Sequence, residues 1–135
     1  MQATIGRAER EVQSAVGCVR RCSERKAGAT LGSIEAELWT ALLALGRAVI
    51  TLLLLRSAAH ERAATYEHDG IQYVLDTGAK RRSEIGTRFG SVPFVRPIGR
   101  AFGGRSRADL PIDRELGLCS GFSLGSVTAV VRLCG

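Results

Sequence analysis

Apolar residues recur at helical spacing through the first half of the chain and at alternate positions through part of the second. In residues 1–30, Ile5, Val12, Val16 and Val19 fall near a 3.6-residue period, with Glu9, Arg10, Glu11 and Arg20 between them. That pattern predicts an amphipathic helix, which Gly28 and Gly32 break. The strongest periodicity covers residues 33–64. Ile34, Leu38, Leu42, Leu45, Val49 and Leu52 form one apolar line, broadened by Leu43, Leu53 and Leu54, and Glu37, Thr40, Ala44, Arg47 and Thr51 form a small or polar stripe opposite it. Ser33 is the expected N-cap, with Glu35 and Glu37 in the first turn, where the helix dipole favours acids. At ~1.5 Å per residue this helix would span ~45 Å.

The same helix raises the question of a membrane span, because residues 38–55 hold a single charge, Arg47. Placing that arginine mid-bilayer costs ~2.5–3.5 kcal/mol. Together with the polar stripe, this favours a central core helix or one that pairs with another helix.

After residue 65 the pattern changes. Residues 70–76 alternate and are rich in β-formers, predicting a short strand followed by a turn at Thr77 and Gly78. Residues 83–88 and 92–96 predict two strands joined at Phe89, Gly90 and Ser91, with Pro93 and Pro97 confining the second to an edge. Residues 99–108 read as a loop. Pro111 resets the chain, with Asp113 a candidate cap for a short turn. Ser123 then opens a second apolar helix over residues 122–134, carried by Leu124, Val127, Val130, Val131 and Leu133. The expected class is α+β: a helical N-terminal segment (1–32), a long amphipathic, leucine-rich helix (33–64), a small antiparallel β-ribbon with a basic loop (65–109), and a turn with a truncated C-terminal helix (110–135).

Composition narrows the chemistry. The 135 residues carry a net charge of +6, with nineteen basic residues, seventeen of them arginine, against thirteen acids. The planar fork of arginine binds phosphate or carboxylate at two points. An arginine bias of the genome and a merely solvated basic face are the competing explanations. Residues 1–11 are polar and hold no apolar leader, so Cys18, Cys22, Cys119 and Cys134 are read as reduced thiols of a cytoplasmic protein rather than a disulfide framework. Cys18 and Cys22 lie four apart, and only His60 and His68 could complete a zinc site, so no metal is expected. The glycines of Gly99-x-x-x-Gly103-Gly104 lack the strand-to-helix context of a phosphate loop, and Gly121-Phe-Ser-Leu-Gly125 has the spacing of a cap before a helix. Asp69, Asp76, Asp109 and Asp113 would have to converge to hold metals, and capping is the simpler role for Asp109 and Asp113.

The densest signal is cationic. Lys80, Arg81, Arg82, Arg88, Arg96, Arg100, Arg105 and Arg107 fall in one short stretch of ribbon and loop, and are the candidate DNA-binding residues. The order of motifs around them resembles the N-terminal region of bacterial insertion-sequence transposases. The pieces are Ile34-Glu-Ala-Glu-Leu-Trp39, Thr87-Arg-Phe-Gly-Ser-Val-Pro-Phe-Val-Arg-Pro97, Leu110-Pro-Ile-Asp-Arg-Glu-Leu-Gly-Leu118 and Phe122-Ser-Leu-Gly125, covering most of residues 33–135. The resemblance implies a parent enzyme with a DDE-type domain of RNase H-like fold, in which three carboxylates hold two divalent metals, magnesium in the parent family. None of those carboxylates is placed in this sequence. In related proteins the segment after the Arg-Pro pair can carry an aromatic and cysteines, whereas here Ile98 and the Gly/Arg loop stand there.

The expectation is therefore a non-catalytic N-terminal transposase fragment, cut before its catalytic domain. It would need no cofactor and take no small-molecule substrate. Its partner would be DNA, with self-association through the long helix. The alternatives are a small helical oligomerisation module, with arginines that only solubilise, and a membrane-associated helix protein.

Overall fold

A computed structural model describes residues 2–24, 26–103 and 108–118. The elements run α1 (Gln2–Arg21), α2 (Leu31–Ala59), β1 (Thr65–His68), β2 (Ile71–Thr87), β3 (Gly90–Ala101), β4 (Ala108–Asp109) and α3 (Pro111–Glu115). The α+β class is as expected, with a long helix following an N-terminal one. The second apolar helix expected over residues 122–134 lies outside the described residues.

α1 and α2 form an antiparallel helical hairpin. Ala8 is buried in the seam, Arg56 donates to Glu9 at 2.7 Å, and Lys26 lies 3.5 Å from Glu37 at the other end. Gly28, at φ 78°, turns the chain between them. The start of α2 differs from expectation. Thr30, not Ser33, is the N-cap: its hydroxyl accepts from the Ser33 amide at 3.2 Å, and the Ser33 hydroxyl accepts from the Thr30 amide at 3.1 Å. Ser33 thus completes a capping box, and the helix begins before it. It ends earlier as well, because His60 is already extended.

The four strands form one antiparallel sheet in sequence order. β2 and β3 make a long hairpin whose two-residue turn, Arg88 and Phe89, lies between the paired Thr87 and Gly90. The turn expected at Thr77 and Gly78 is absent. β2 runs through this point with a bulge between Asp76 and Lys80, where the Gly78 amide donates to Asp76 Oδ1 at 3.0 Å. Lys80, Arg81 and Arg82 are consequently strand residues. Gly99, Arg100 and Ala101, expected in a loop, belong to β3.

The prolines fit this arrangement. Phe102 donates its amide to the carbonyl of Gln72 in β2. Backbone direction alternates along a strand, so Pro93 and Pro97 lack their donors on the side away from β2. Among the described residues that side pairs only with β4, at Gly99 and Arg100.

The core joins the hairpin to the C-terminal half of α2. Leu54, Ile85, Val92, Phe94 and Ile112 are buried together, with Ile50, Ala58, Leu116 and Leu118 against them. Alternation along β3 carries Val92 and Phe94 to this face, and both pair with β2 residues of the same face, Ile85 and Ser83. Higher on α2, Gly46 leaves room for the Phe89 ring, which a Cβ at that position would strike. Arg47, the lone charge of the apolar run, donates to the Phe89 carbonyl at 2.7 Å. That arginine therefore anchors the hairpin tip.

The apolar line read from the sequence is not the face that is covered. α1 lies beside Ala36, Thr40, Ala41 and Ala44, and the hairpin covers Gly46, Arg47, Ile50 and Leu54. Leu42 and Val49, both members of the predicted line, remain exposed with Trp39 and Leu53.

Candidate nucleic-acid interface

The register of the β2–β3 hairpin sorts the candidate cations by face. Residues paired across an antiparallel ladder share a face. Ile85↔Val92 and Ser83↔Phe94 point to the core, so Lys80↔Pro97, Arg82↔Val95 and Glu84↔Pro93 point outward. Lys80, Arg82, Glu84, Pro93 and Val95 are all exposed there. Arg81 pairs with Arg96 on the inner face but is itself exposed. None of the ion pairs among the described residues involves Lys80, Arg81 or Arg82. Lys80 and Arg82, next to a bulge that increases local twist, form a compact cationic ridge on the outward face, and Arg81 is exposed on the opposite face of the same strand. Val95, Pro93 and Pro97 give it a flat apolar flank on the outward side.

The other candidates fare differently. Arg88 sits exposed in the hairpin turn. Arg100 donates to Asp76 at 3.1 Å, though its side chain stays 60% exposed. Arg105 and Arg107 lie outside the described residues. Arg96 is a correction: it is 3% exposed and committed to the interior. Its Nε and Nη2 donate to the two oxygens of Asp113 at 2.8 and 2.7 Å, and its Nη1 donates to the Ser83 hydroxyl at 2.6 Å and the Phe94 carbonyl at 3.2 Å. The guanidinium also lies 4.9 Å from the Phe94 ring centroid. Alternation puts residue 96 on the face of Val92 and Phe94, so a phosphate cannot reach it. Asp113, expected as a cap, is instead the counterion; α3 has no side-chain cap bond at Leu110.

A second polar cluster closes the far end of the sheet. Tyr66 stacks on Tyr73 at 5.3 Å between centroids and donates to Asp109 Oδ2 at 2.7 Å. Gly99 leaves the space that the Tyr66 hydroxyl occupies. Arg114 donates to both oxygens of Asp109 at 2.9 and 3.1 Å, and Arg62 donates to both oxygens of Glu115 at 3.3 and 2.8 Å. Burial, reinforced by the bond to Asp109, raises the Tyr66 phenol above its ordinary value. For Asp109, burial alone would push the carboxyl up, but bonds from Tyr66 and Arg114 and the charge of Arg114 outweigh it and hold it below its ordinary value. The bond from Arg62 likewise lowers Glu115.

The four aspartates do not converge. Asp69 lies near His68, Asp76 holds Arg100, Asp109 holds Tyr66 and Arg114, and Asp113 holds Arg96. Among the described residues no three His, Cys, Asp or Glu side chains are grouped to hold a metal ion. Cys18 on α1 and Cys22 just past its end are free thiols, with Arg21 donating to Cys18 Sγ at 3.0 Å.

Sequence reasoning did not anticipate the exposed row on α2 formed by Trp39, Leu42, Val49 and Leu53. Its signal is a three- and four-residue alternation, 39, 42, 46, 49, 53, which runs beside the line chosen from the leucines. Compared with family models, curated proteins and solved structures, the chain finds no match.

Proposed function

We propose that this chain is a DNA-gripping, non-catalytic part of an insertion-sequence transposition machinery, acting in the cytoplasm through the outward ridge of Lys80 and Arg82. The observation that carries this reading is the exposure of Lys80 and Arg82 on one face of β2, with none of the ion pairs among the described residues involving them. A ridge of this kind meets phosphates without reading bases, so it supplies affinity and orientation rather than sequence choice. The transposase part of the reading rests on the motif order around the hairpin, and the structure gives those motifs joint roles. The Thr87–Pro97 motif builds the hairpin turn and the core face of β3, while Asp113 of the Leu110–Leu118 motif locks onto Arg96 of the first. We assign the chain grip and not strand transfer, because the motifs it shares with the family hold none of that family's catalytic carboxylates.

The test is duplex binding by fluorescence anisotropy across a salt series. Two phosphate contacts give a log–log salt slope of about −2. Lys80→Gln and Arg82→Gln should each reduce its magnitude by about 1, irrespective of DNA sequence. Failure to bind at low salt, or a slope indifferent to both substitutions, refutes the reading.

The exposed row on α2 favours a second role, as a helical interaction module, which is compatible with the first.

A further inference from the structure

From the open face of α2 we infer that a second copy of this chain packs there, helix against helix and antiparallel, centred near Gly46.

α2 is apolar on three sides but covered on two. α1 takes one side and the β2–β3 hairpin another, leaving a third that bears Leu31, Trp39, Leu42, Val49 and Leu53. A helix apolar all round is normally buried all round. Trp39 is 65% exposed and Leu53 is 53% exposed, large values for such side chains. Their positions, 39, 42, 46, 49 and 53, alternate by three and four residues, the spacing of a seam along which another helix lies. Gly46 stands at its centre, and there the Phe89 ring of the hairpin tip fills the notch and forms the middle of the face. The row is close to symmetrical about that glycine, with Leu42 and Val49 flanking it and Trp39 and Leu53 beyond. A symmetrical row is what an isologous two-fold contact requires.

Charge selects the direction. The seam continues to Glu35 at one end and to Arg56 at the other. Both are exposed; Arg56 is held by Glu9 and keeps 58% of its side chain exposed. An antiparallel copy sets Glu35 of each chain near Arg56 of the other, whereas a parallel copy sets glutamate against glutamate and arginine against arginine. The area is also sufficient. Large apolar side chains present ~150–250 Å² each, so the exposed parts of Trp39, Leu42, Val49, Leu53 and Phe89 amount to on the order of 500 Å² per copy. Doubled, this is about 1,000 Å², the size at which a specific interface begins.

A lipid bilayer fits the same helix less well. α2 is long and apolar enough to cross a membrane, but its other two sides carry the Glu9–Arg56 and Lys26–Glu37 ion pairs and the Arg47 bond to the hairpin tip.

Trp39 is the sole tryptophan of the chain, so its emission reports this face directly. Sedimentation equilibrium of the full chain should show a dimer forming by about 10 µM, in the weaker range for an interface of this size. Trp39 emission should move to the blue over the same range. Leu53→Glu sets a carboxylate opposite the partner's Trp39 and should weaken association about a hundredfold, with unchanged far-ultraviolet circular dichroism. Glu35→Lys, a change at an exposed position, should weaken it about tenfold by facing Arg56. A chain that stays monomeric at about 100 µM, ten times that concentration, overturns the inference. So does a dimer indifferent to both substitutions, or a blue shift that occurs only with phosphatidylcholine vesicles. The inference rests on α2 and the Phe89 ring seated on it, and its outcome is separate from that of DNA binding by the ridge.

Discussion

Removing the carboxylate of Asp113 tests the assignment of Arg96 to the interior. Arg96 is 3% exposed, and Asp113 meets it through two bonds of 2.8 and 2.7 Å. Asp113→Ala leaves a buried guanidinium with only the Ser83 hydroxyl and the Phe94 carbonyl as acceptors, and its charge without a counterion. Stripping one partner from a buried pair costs about 3–5 kcal/mol, a large share of the ~5–15 kcal/mol by which domains are stable. The reverse substitution is milder. The Asp113 side chain is 18% exposed, so after Arg96→Met it can turn toward water, and the apolar methionine stays beside Phe94; the cost should be about 1–2 kcal/mol. Replacing both, Arg96→Met with Asp113→Leu, should come near neutrality, because neither charge is then left buried. Urea unfolding followed by circular dichroism reads all three. With an m-value of roughly 1.5–2 kcal/mol/M, Asp113→Ala should lower the midpoint by about 2 M. Arg96→Met should leave the salt slope of duplex binding unaltered, in contrast to Arg82→Gln. A loss below about 1 kcal/mol for Asp113→Ala, or one smaller than that of Arg96→Met, would refute the reasoning.

The remaining predictions concern the two ends of the hairpin. Gly46→Ala drives a methyl group into the Phe89 ring and should destabilise the chain by about 1–3 kcal/mol in thermal unfolding, whereas Gly32→Ala, with nothing nearby, should not. At the other end, Tyr66 is raised and Asp109 and Glu115 are lowered, so each contributes stability on one side of a pH window. The carboxylates contribute above their unfolded values, ~3.9 and ~4.3, and lose this as pH falls through their lower folded values. The phenol contributes below its unfolded value, ~10, and loses this as pH rises beyond it. Stability against pH should therefore fall off below about pH 4 and above about pH 10, with Tyr66→Phe removing the alkaline limb. In a Tyr73→Phe background the remaining phenol should titrate above the ordinary range by ultraviolet absorbance, and an ordinary titration would contradict the Tyr66–Asp109 bond.

Much of this architecture was legible, and the parts that were not have physical causes. The hairpin was readable, because Gly90, at φ 112°, stands where alternating strands meet, but its turn falls at Arg88 and Phe89, one residue before the expected junction, and Gly90 and Ser91 already belong to β3. The long helix was readable by its leucines, but not its start, since Thr30 and Ser33 are both capping types and only their reciprocal bonds decide between them. The bulge at Asp76 to Lys80 was hidden, because Thr77 and Gly78 carry turn chemistry that the sheet absorbs without reversing direction. Two failures share a deeper cause. Composition weighs every arginine alike, yet the ladder separates Arg82, facing outward beside Val95, from Arg96, facing Asp113. That separation was available in principle, because residues 92, 94 and 96 alternate onto one face, but it needed a carboxylate from α3 to make burial of Arg96 tolerable. On α2 the leucines are too many to say which side is covered. The core went to the side with Gly46, Arg47, Ile50 and Leu54, because a glycine and a long cation can admit a hairpin tip where a third leucine would block it. The row of larger side chains was thereby left open. The packing that seats the hairpin tip at Gly46 leaves Trp39 and Leu53 exposed beside it.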